Sequence, residues 1–484
     1  RDQLMRIIGN NPAADNAEIT AVASGTLPDG KPVIVNADGT VSAISGTSAS
    51  QASYSQTTLA SSSYPGDVYS VVYSPDDDKI VVLYTGASSY PTAVVGTISG
   101  TSISFGTPVV VVSRAAYNSD ATYDTSANKA ILCIAVDGFP SYGTAYAVTI
   151  SGTNLSLGTG FNFKSSTSNA IERIRAVFDS STNRTIVTYI DPGSSNRIRV
   201  TALTCSGSTI TAAISPVSVN SGTTQSNSLV FDSDQNVVMS IWYQSGLMRY
   251  RAYTTSGSSF SFGSEVTDNS TTSAYSGVAY DPNTQKHLVV LRDSSSPNYT
   301  LLLPVTLSGT TVTIGTPSSG PAVAAQNGTK TLEPYYDSMA QKVTVLQSNS
   351  SSTIVYPVDM SGSSPVAGTH LATGYASNGQ CAAAFVSTQN RAVLSFNGKA
   401  SLYQNDYIDT NLTAENYIGF ANGAAADTGT ARVQVGSGIN GAQSSLTAGQ
   451  QYFVQTDGTL GLTAADPSAI AGTAISATEI IVKG

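Results

Sequence analysis

The stretch from Arg175 to Ile214 reads RAVFDSSTNRTIVTYIDPGSSNRIRVTALTCSGSTITAAI and decides the fold. Apolar and polar residues alternate within four short runs, and turn-forming residues separate the runs. Such alternation is typical of half-buried β-strands. The runs are Arg175–Asp179, Thr185–Ile190, Arg197–Thr204 and Ser208–Ile214. The stretch therefore predicts a unit of four short strands joined by three turns.

The same pattern recurs along the chain, and an aromatic residue marks its first strand each time. These aromatic residues are separated by 49 to 56 residues, with a mean of 52. An aspartate follows the aromatic residue in five of the seven units, and a basic residue stands six positions after it in six of them. The aromatic residues are Tyr73, Tyr123, Phe178, Phe231, Tyr280, Tyr336 and Phe385, and the aspartates are Asp124, Asp179, Asp232, Asp281 and Asp337. Seven four-stranded units without a helical pattern between them predict an all-β chain with a seven-bladed β-propeller.

A second half-unit, Ser-Gly followed by alternating residues, interleaves with the first, as in Ser151–Gly158 (SGTNLSLG). Its glycines are Gly46, Gly100, Gly152, Gly207, Gly257, Gly309 and Gly362. Gly46 precedes the first aromatic half-unit, whereas no Ser-Gly half-unit follows the last one at Phe385. The first half-unit therefore lacks a partner before it, and the last half-unit lacks one after it. Both are paired if the chain closes into a ring, in which strands from about Val41 to Leu59 complete the blade begun by Cys381–Tyr403. Such closure removes the exposed sheet edges of an open array.

The repeat divides the chain into three parts. Residues 1–40 are an N-terminal arm and β-hairpin for attachment, residues 41–404 the propeller, and residues 405–484 a small C-terminal β-domain. Val33–Val41 (VIVNADGTV) and Phe453–Leu460 (FVQTDGTL) both predict hairpins with an Asp-Gly turn. Because ring closure brings the flanks together, we expect both termini to form one small β-rich domain. Arg1–Ile8 is expected to be a short helix or an extended arm.

Composition narrows the functional classes. Only 11% of the 484 residues are charged, the net charge is −9, and 40% of the residues are hydrophobic. The chain has no cluster of lysine and arginine, which argues against nucleic-acid binding. Cys133, Cys205 and Cys381 are odd in number and far apart, so we expect structural thiols rather than disulfides or a zinc site. The sequence predicts no cofactor and no metal.

The repeated residues are predicted to build the fold. The aspartate is expected to form an Asx-type turn between the first two strands, and the basic residue to pair with that aspartate. The aromatic residues are expected to pack between neighbouring blades. Function is expected in what differs between blades, at the loop tips or in the axial channel. The variable loops are rich in Ser, Gly, Pro, Asn and Tyr, a composition typical of binding loops. The candidate binding-loop residues are Tyr90, Tyr142, Trp242, Tyr243 and Tyr299.

Catalytic motifs are weakly represented. His287 and His370 have no spaced partner for a triad or a metal, and no phosphate-binding or nucleophile-elbow motif occurs. We therefore predict a protein that is not an enzyme. The alternative is a glycan-degrading propeller enzyme, which requires two carboxyl groups facing one channel. Its candidates are the acids that do not repeat, namely Glu172, Asp137, Asp191 and Glu333.

Several segments resemble parts of tailed-bacteriophage virion proteins. Asn416–Gly419 (NYIG), Leu446–Asp457 (LTAGQQYFVQTD) and Gly472–Lys483 (GTAISATEIIVK) resemble a small β-module of phage appendages. Ala93–Pro108 (AVVGTISGTSISFGTP) and Ala279–Lys286 (AYDPNTQK) resemble repeats in structural proteins of marine and cyanobacterial phages. The resemblance to the module covers about 70 residues and carries over no catalytic residue.

The resemblance implies a virion structural protein on the surface of an extracellular particle. The expected protein is a tail fibre or appendage whose propeller loops contact a host-surface glycan or outer-membrane protein. A capsid-decorating fibre is the alternative within the same class. Expected partners are other virion proteins and further copies of the chain, since appendages are built on cyclic symmetry.

Overall fold

A computed structural model describes residues 17–59, 67–116, 119–136, 141–166, 171–268, 276–292, 300–321, 331–348, 353–374, 379–465 and 467–483. These residues form strands and three short 3-10 helices, Ala87–Ser89, Pro192–Ser194 and Ser387–Gln389. The all-β prediction is confirmed. None of the helices in these ranges is long and apolar enough to span a membrane. The predicted arm Arg1–Ile8 lies outside the described residues.

The chain divides into two compact units. Residues 51–405 form one unit, which we call the propeller unit, and residues 1–50 and 406–484 form the other, which we call the terminal unit. The boundary after the propeller falls within one residue of the predicted position. The boundary before it lies ten residues later than predicted.

The described residues of the propeller unit form seven antiparallel sheets, which we number as blades 1 to 7 in chain order. Blade 1 contains Val68–Ser74, Lys79–Thr85, Pro91–Ser99, Ser102–Phe105 and Val109–Val110. Blade 2 contains Asp120–Asp124, Lys129–Val136, Ser141–Ser151, Asn154–Leu157 and Phe161–Ser166. Blade 3 contains Glu172–Asp179, Arg184–Asp191, Arg197–Ser206 and Thr209–Ser218. Blade 4 contains Ser228–Asp232, Val237–Gln244, Leu247–Ser256, Ser259–Phe262 and Val266–Asp268.

The remaining blades follow the same plan. Blade 5 contains Ser276–Asp281, Lys286–Arg292, Thr300–Ser308, Thr311–Ile314 and Ser318–Ser319. Blade 6 contains Thr331–Asp337, Lys342–Ser348, Thr353–Asp359, Val366–Ala367 and Leu371–Ala372. Blade 7 contains Cys381–Val386, Arg391–Phe396, Lys399–Gln404, Ala52–Ser53 and Thr57–Thr58. In all blades except blade 3, two short segments form the outer strand and pair with the third strand.

The blades form a closed ring. The first strand of each blade lies beside the first strand of the next, and the first strand of blade 7 lies beside that of blade 1. A separate apolar core fills each of the seven spaces between neighbouring blades. The predicted β-propeller is confirmed.

Closure of the ring uses a shorter segment than predicted. Only Ala52–Ser53 and Thr57–Thr58 pair with the third strand of blade 7, Lys399–Gln404. Gly46–Ala49 pairs instead with Tyr407–Thr410 in the terminal unit. The prediction that Gly46 belongs to a blade is therefore wrong. A Cβ atom at Gly46 would lie 2.4 Å from the carbonyl oxygen of Thr456, so this glycine serves close packing within the terminal unit.

The repeated aspartate forms the turn between the first two strands. In blade 3, Oδ1 of Asp179 accepts hydrogen bonds from the backbone N–H groups of Ser181 and Thr182, at 3.0 and 3.3 Å. The same two bonds, from residues two and three positions later, occur at Asp124, Asp232, Asp281 and Asp337. This geometry is the Asx-type turn that the sequence predicts. Oδ2 of Asp179 also accepts a bond of 2.7 Å from Oγ1 of Thr255 in blade 4, so the turn ties two blades together.

The repeated aromatic residues lie between blades. The hydroxyl of Tyr123 in blade 2 donates to Oδ2 of Asp76 in blade 1 at 2.6 Å. The hydroxyl of Tyr280 in blade 5 makes the same 2.6 Å bond to Oδ2 of Asp234 in blade 4. The rings of both tyrosines pack against the apolar core between the same two blades. Each tyrosine therefore fixes its blade to the preceding one.

The repeated basic residue also reaches a neighbouring blade. Nζ of Lys286 in blade 5 donates to the carbonyl oxygens of Met360 and Gly362 in blade 6, both at 2.7 Å. Arg391 in blade 7 donates to the carbonyl oxygen of Gly100 in blade 1 at 2.8 Å. The predicted pairing with the aspartate of the same blade is wrong at Lys286. Its long side chain reaches the outer turn of the next blade, where backbone carbonyls need a donor.

The last glycine of the Ser-Gly half-unit permits a close contact between blades. A Cβ atom at Gly158 would lie 2.2 Å from the carbonyl oxygen of Ser208, which belongs to the outer turn of the next blade. The equivalent distances are 1.8 Å from Gly106 to Thr153 and 2.3 Å from Gly263 to Thr310. No side chain fits at these three positions without displacing the backbone of the next blade.

The terminal unit contains three sheets. The first joins strands from both ends of the chain in the order Glu18–Val22, Thr430–Gln434, Tyr417–Ala421, Pro32–Val35 and Val41–Ala43. The second pairs Gly46–Ala49 with Tyr407–Thr410. The third has the order Ile439–Asn440, Ile480–Val482, Ala469–Ala474, Gln451–Val454 and Leu460–Gly461. Both predicted Asp-Gly hairpins form, through the pairs Val35↔Val41 and Val454↔Leu460.

Replacement of Asp179 by alanine is expected to lower the free energy of unfolding by about 3 kcal/mol at pH 7, because several donors would lose a charged acceptor. Burial of the Asp179 carboxyl would by itself raise its pKa, but bonds from Ser181, Thr255 and Thr182 outweigh burial and lower the pKa below its ordinary 3.8. A lowered pKa stabilises the fold at pH values above 3.8, and the contribution disappears as the pH falls through the folded-state value. Urea unfolding at several pH values measures both effects. Glu172→Ala, an exposed acid of the same blade, is the control.

Gly158→Ala is expected to destabilise the propeller by roughly 1–3 kcal/mol, because the added methyl group displaces the outer turn of blade 3. Gly362→Ala is the matched control, since its Cβ atom would meet its nearest neighbour at an ordinary 3.5 Å. Urea unfolding of the two variants compares them directly. Equal stability of both variants would contradict the proposed role of the close contact.

Candidate functional site: axial channel and loop face

The first strands of the blades line a cavity of about 180 Å³ in the centre of the propeller unit. The residue three positions before the repeated aromatic residue contributes to the lining in blades 1 to 6. These residues are Ser70, Asp120, Arg175, Ser228, Gly277 and Glu333. In blade 7 the equivalent residue is Ala382, which is buried. One position of the repeat therefore places a serine, a glycine, an alanine or a charged residue around the axis.

Several of these side chains bind the backbone of the next first strand. Oγ of Ser70 donates to the carbonyl oxygen of Ala121 at 3.2 Å, and Oδ2 of Asp120 accepts from the N–H of Ala176 at 3.0 Å. Oγ of Ser228 donates to the carbonyl oxygen of Ser276 at 2.8 Å. These contacts satisfy backbone groups that have no strand partner on the channel side.

Three ionisable side chains, Asp120, Arg175 and Glu333, line the same channel. Burial raises the pKa of Asp120, although Arg175 and the N–H of Ala176 oppose the effect. Burial raises the pKa of Glu333, Arg175 opposes this and the nearby Asp120 adds to it, so that the pKa rises from 4.5 to about 8. Nη1 of Arg175 donates to the carbonyl oxygen of Ile174 at 2.9 Å. The carboxyl group of Glu333 therefore has a pKa close to neutral pH, and Arg175 and Asp120 are its ionisable neighbours.

Of the four acids predicted as candidates for hydrolysis, the structure describes three, and these three do not line one cavity. Glu172 is exposed at the start of the first strand of blade 3. Asp191 is buried, pairs with Nζ of Lys164 at 3.0 Å and accepts the N–H of Gly193 at 3.1 Å, so it holds a loop. Asp137 lies outside the described residues. Among the described candidates, Glu333 is the acid that lines the channel. A second acid, Asp120, also lines it and was not predicted, although it stands at the same repeat position, three residues before Tyr123.

One end of the propeller carries the connections between second and third strands, and we call it the loop face. The opposite end, which carries the Asx turns and the Ser-Gly turns, is the turn face. On the loop face, Ala87–Ser89 and Pro192–Ser194 form 3-10 helices, and Tyr90 follows the first of them half-exposed. Most of the corresponding loops in blades 2, 5 and 6 lie outside the described residues.

The described loops are held by hydrogen bonds and contain left-handed residues. Ser88 and Ser89 have φ angles of 57° and 58°. The carbonyl oxygen of Ser89 accepts the N–H of Ala116 at 3.2 Å, and the N–H of Gly86 donates to the carbonyl of Tyr90 at 2.8 Å. Left-handed serines are costly, and they persist only where surrounding contacts impose them.

The candidate binding-loop residues have different environments. Trp242 is completely buried between blades 3 and 4, and its Nε1 donates to Oε1 of Gln244 at 3.0 Å. The prediction of Trp242 as a loop residue is therefore wrong, because the second strand of blade 4 extends to Gln244 and a two-residue turn follows. Tyr142 and Tyr243 are half-buried strand residues that pack against apolar cores. Tyr299 lies outside the described residues, so Tyr90 is the candidate seen on a loop.

The remaining reactive side chains have structural environments. His287 is completely buried, its Nδ1 lies 3.3 Å from the carbonyl oxygen of Val305, and burial lowers its pKa although Asp232 opposes this. Cys133 and Cys381 are buried, and burial raises the pKa of the half-buried Cys205 to about 11. Across the described part of the chain, no three His, Cys, Asp or Glu side chains are grouped to hold a metal ion.

Comparisons with known proteins return structures rather than sequence families. No protein-family model and no curated protein sequence matches the chain. A Dos1 propeller is similar with 11% identity and a TM-score of 0.45 over 74% of this chain and 96% of that one. A protein from Lactobacillus plantarum has 13% identity and a TM-score of 0.47 over 73% and 96%. A structure of NanB plus Optactamide has 13% identity and a TM-score of 0.40 over 70% and 67%. Similarities at such low sequence identity do not indicate a function for this chain.

Glu333→Gln is expected to stabilise the protein in a pH-dependent way. Because the pKa of Glu333 is raised from 4.5 to about 8, its favourable contribution is present below pH 4.5 and is lost as the pH rises through 8. The melting temperature of the variant should therefore match that of the parent protein at pH 4, exceed it increasingly up to pH 8, and keep a constant lead above that. Calorimetry across this range measures the difference. Glu172→Gln, at an exposed position, should show no such profile, and a flat profile for Glu333→Gln would contradict the raised pKa.

Proposed function

We propose that the chain is a structural protein of a tailed-bacteriophage virion, a tail fibre or other appendage on the particle surface. In this proposal the loop face of the propeller contacts a host-surface glycan or outer-membrane protein. The terminal unit joins the chain to other virion proteins. The resemblance of its sequence to appendage modules motivates this assignment.

The contrast between the two propeller faces supports a binding role. On the turn face, the aromatic residue recurs in all seven blades and the aspartate in five, and Tyr123, Asp179 and Tyr280 among them bind a neighbouring blade. On the loop face, the connections differ in length and composition from blade to blade. A rigid scaffold with variable loops at one end is the usual arrangement of a recognition surface.

The state of the loop around Tyr90 supports the same role. Hydrogen bonds from Ala116 and Gly86 fix the backbone on both sides of the left-handed pair Ser88 and Ser89. A tyrosine ring presented by such a fixed backbone loses little conformational entropy when it binds a ligand. Tyr90 is therefore the aromatic side chain we assign to host contact.

Tyr90→Ala is expected to weaken binding to host outer-membrane vesicles about tenfold, which is the usual effect of removing a contacting aromatic side chain. Biolayer interferometry with immobilised vesicles from a strain that adsorbs the particle measures this change. Asn283→Ala, an exposed turn-face substitution in blade 5, is the matched control and should bind like the parent chain. Equal binding by the two variants would contradict the assignment of the loop face.

Cryo-electron microscopy of the native particle tests the location. Density at the tail or baseplate with the loop face outward supports host attachment. Density spread over the capsid lattice would instead identify a capsid-decorating fibre. A particle that lacks the chain would remove the virion proposal altogether.

The channel carboxyl groups favour a second candidate, a glycan-degrading propeller enzyme. Asp120 and Glu333 share the channel with Arg175, and the raised pKa of Glu333 suits a general acid. Release of reducing ends from host polysaccharide tests this candidate. Such activity, if abolished by both Asp120→Asn and Glu333→Gln but retained by Tyr90→Ala, would establish the enzyme and displace the purely structural proposal.

A further inference from the structure

One sheet of the terminal unit has an apolar outer face. It is the sheet with the strand order Ile439–Asn440, Ile480–Val482, Ala469–Ala474, Gln451–Val454 and Leu460–Gly461. The inner face packs into a core that includes Ile480, Val482, Tyr452 and Val454. The outer face is open in the single chain, and we call it the terminal sheet face.

The terminal sheet face exposes large apolar side chains on neighbouring strands. Ile439 pairs with Ile481, and the two side chains are 41% and 38% exposed. Ile470 pairs with Phe453, and Ile470 is 41% exposed while Phe453 is half-exposed. Cross-strand partners point to the same face of a sheet. Thr473 pairs with both Ile481 and Gln451, and Gln451 alternates with Phe453 on the same strand, so the four apolar side chains and Thr473 share one patch on the outer face. A patch of this kind marks an interaction surface.

The second strand of this face, Ile480–Val482, has opposite charges just beyond its two ends. Glu479, Ile481 and Lys483 are exposed and alternate with the buried Ile480 and Val482. The three side chains therefore stand in a row on the outer face, with a negative charge at one end and a positive charge at the other. Oε2 of Glu479 accepts an exposed hydrogen bond of 3.2 Å from Oγ of Ser476.

We propose that the terminal sheet face binds the same face of a second copy of the chain, forming a two-fold symmetric dimer. The two-fold axis lies between the sheets, perpendicular to the strand Ile480–Val482, and passes beside Ile481. The row of one copy then runs antiparallel to the row of the other. Ile481 meets its symmetry mate, and Glu479 of each copy meets Lys483 of the other.

The charge pattern selects this arrangement among those that symmetry allows. A two-fold axis along the strand would place each Glu479 against the other Glu479 and each Lys483 against the other Lys483, which is repulsive. The perpendicular axis forms two ion pairs, each about 7 Å along the strand from the central isoleucine contact. A two-fold interface uses one patch twice and must be self-complementary, as this row is.

The first test measures the mass of the full chain in solution by analytical ultracentrifugation over a range of concentrations. We expect a dimer, and Ile481→Asp should raise its dissociation constant roughly 100-fold or more, because each substitution acts twice in a symmetric interface. Val366→Asp is the matched control, since Val366 is an exposed apolar strand residue of blade 6 and is 63% exposed. Circular dichroism and the melting temperature verify that both variants fold.

The second test distinguishes this surface from any other. Glu479→Lys leaves two positive charges in the row and Lys483→Glu leaves two negative ones, so each variant alone should dimerise roughly tenfold more weakly. An equimolar mixture of the two variants should regain parent-like affinity as a heterodimer. Lys399→Glu, an exposed lysine of blade 7, is the control for charge reversal alone.

Three results would overturn the proposal. A monomer at all concentrations would show that two copies do not pair through this face. A dimer that Ile481→Asp leaves intact would place the interface elsewhere. Mixed charge variants that associate no better than each variant alone would exclude the antiparallel arrangement.

Discussion

The inner edges of the first strands impose the constraint on which the rest of the propeller depends. Each edge faces the axial channel, where its N–H and C=O groups have no strand partner. A side chain from the preceding blade supplies the missing partner at several places, as Asp120 does for Ala176 and Ser228 does for Ser276. Such a side chain must be short and polar, and it must stand at one fixed position of the repeat. The same contacts that satisfy the backbone therefore join neighbouring blades and decide what lines the channel.

The contacts between blades explain why some residues repeat and others vary. Tyr280 binds Asp234 of the preceding blade, Lys286 binds carbonyls of the following blade, and Gly158 leaves room for the turn at Ser208. All three lie toward the turn face, so that end of the ring is determined by neighbours on both sides. The connections at the loop face do not repeat in sequence from blade to blade. All blades nevertheless share the same strand plan, which is the physical reason why we propose recognition at this end.

The sequence predicts the local elements well because their causes are local. Alternation predicts the four strands of blade 3 to within a few residues, and the aspartate after the aromatic residue predicts the turn at Asp179. Contacts between distant residues are harder to predict. Trp242 has a loop-like sequence context, yet the strand before it continues and carries the indole into a core. Gly46 has the Ser-Gly pattern, yet its close contact is with Thr456, 410 residues away in sequence.

The channel residues are also distant from one another in sequence, but the repeat makes their proximity predictable. Glu333 stands out as an acid that does not repeat, but its meaning depends on Asp120 and Arg175, which come from two other blades. No local sequence pattern connects these three residues. They share a position in the repeat, because each stands three residues before its repeated aromatic residue, Tyr123, Phe178 or Tyr336. In a closed ring, equal repeat positions become neighbours around one axis. Residues at such a position must therefore be compared around the ring rather than along the chain. Only 11% of the residues of this chain are charged, and this comparison is what brings the ionisable side chains of Asp120, Arg175 and Glu333 together in one channel.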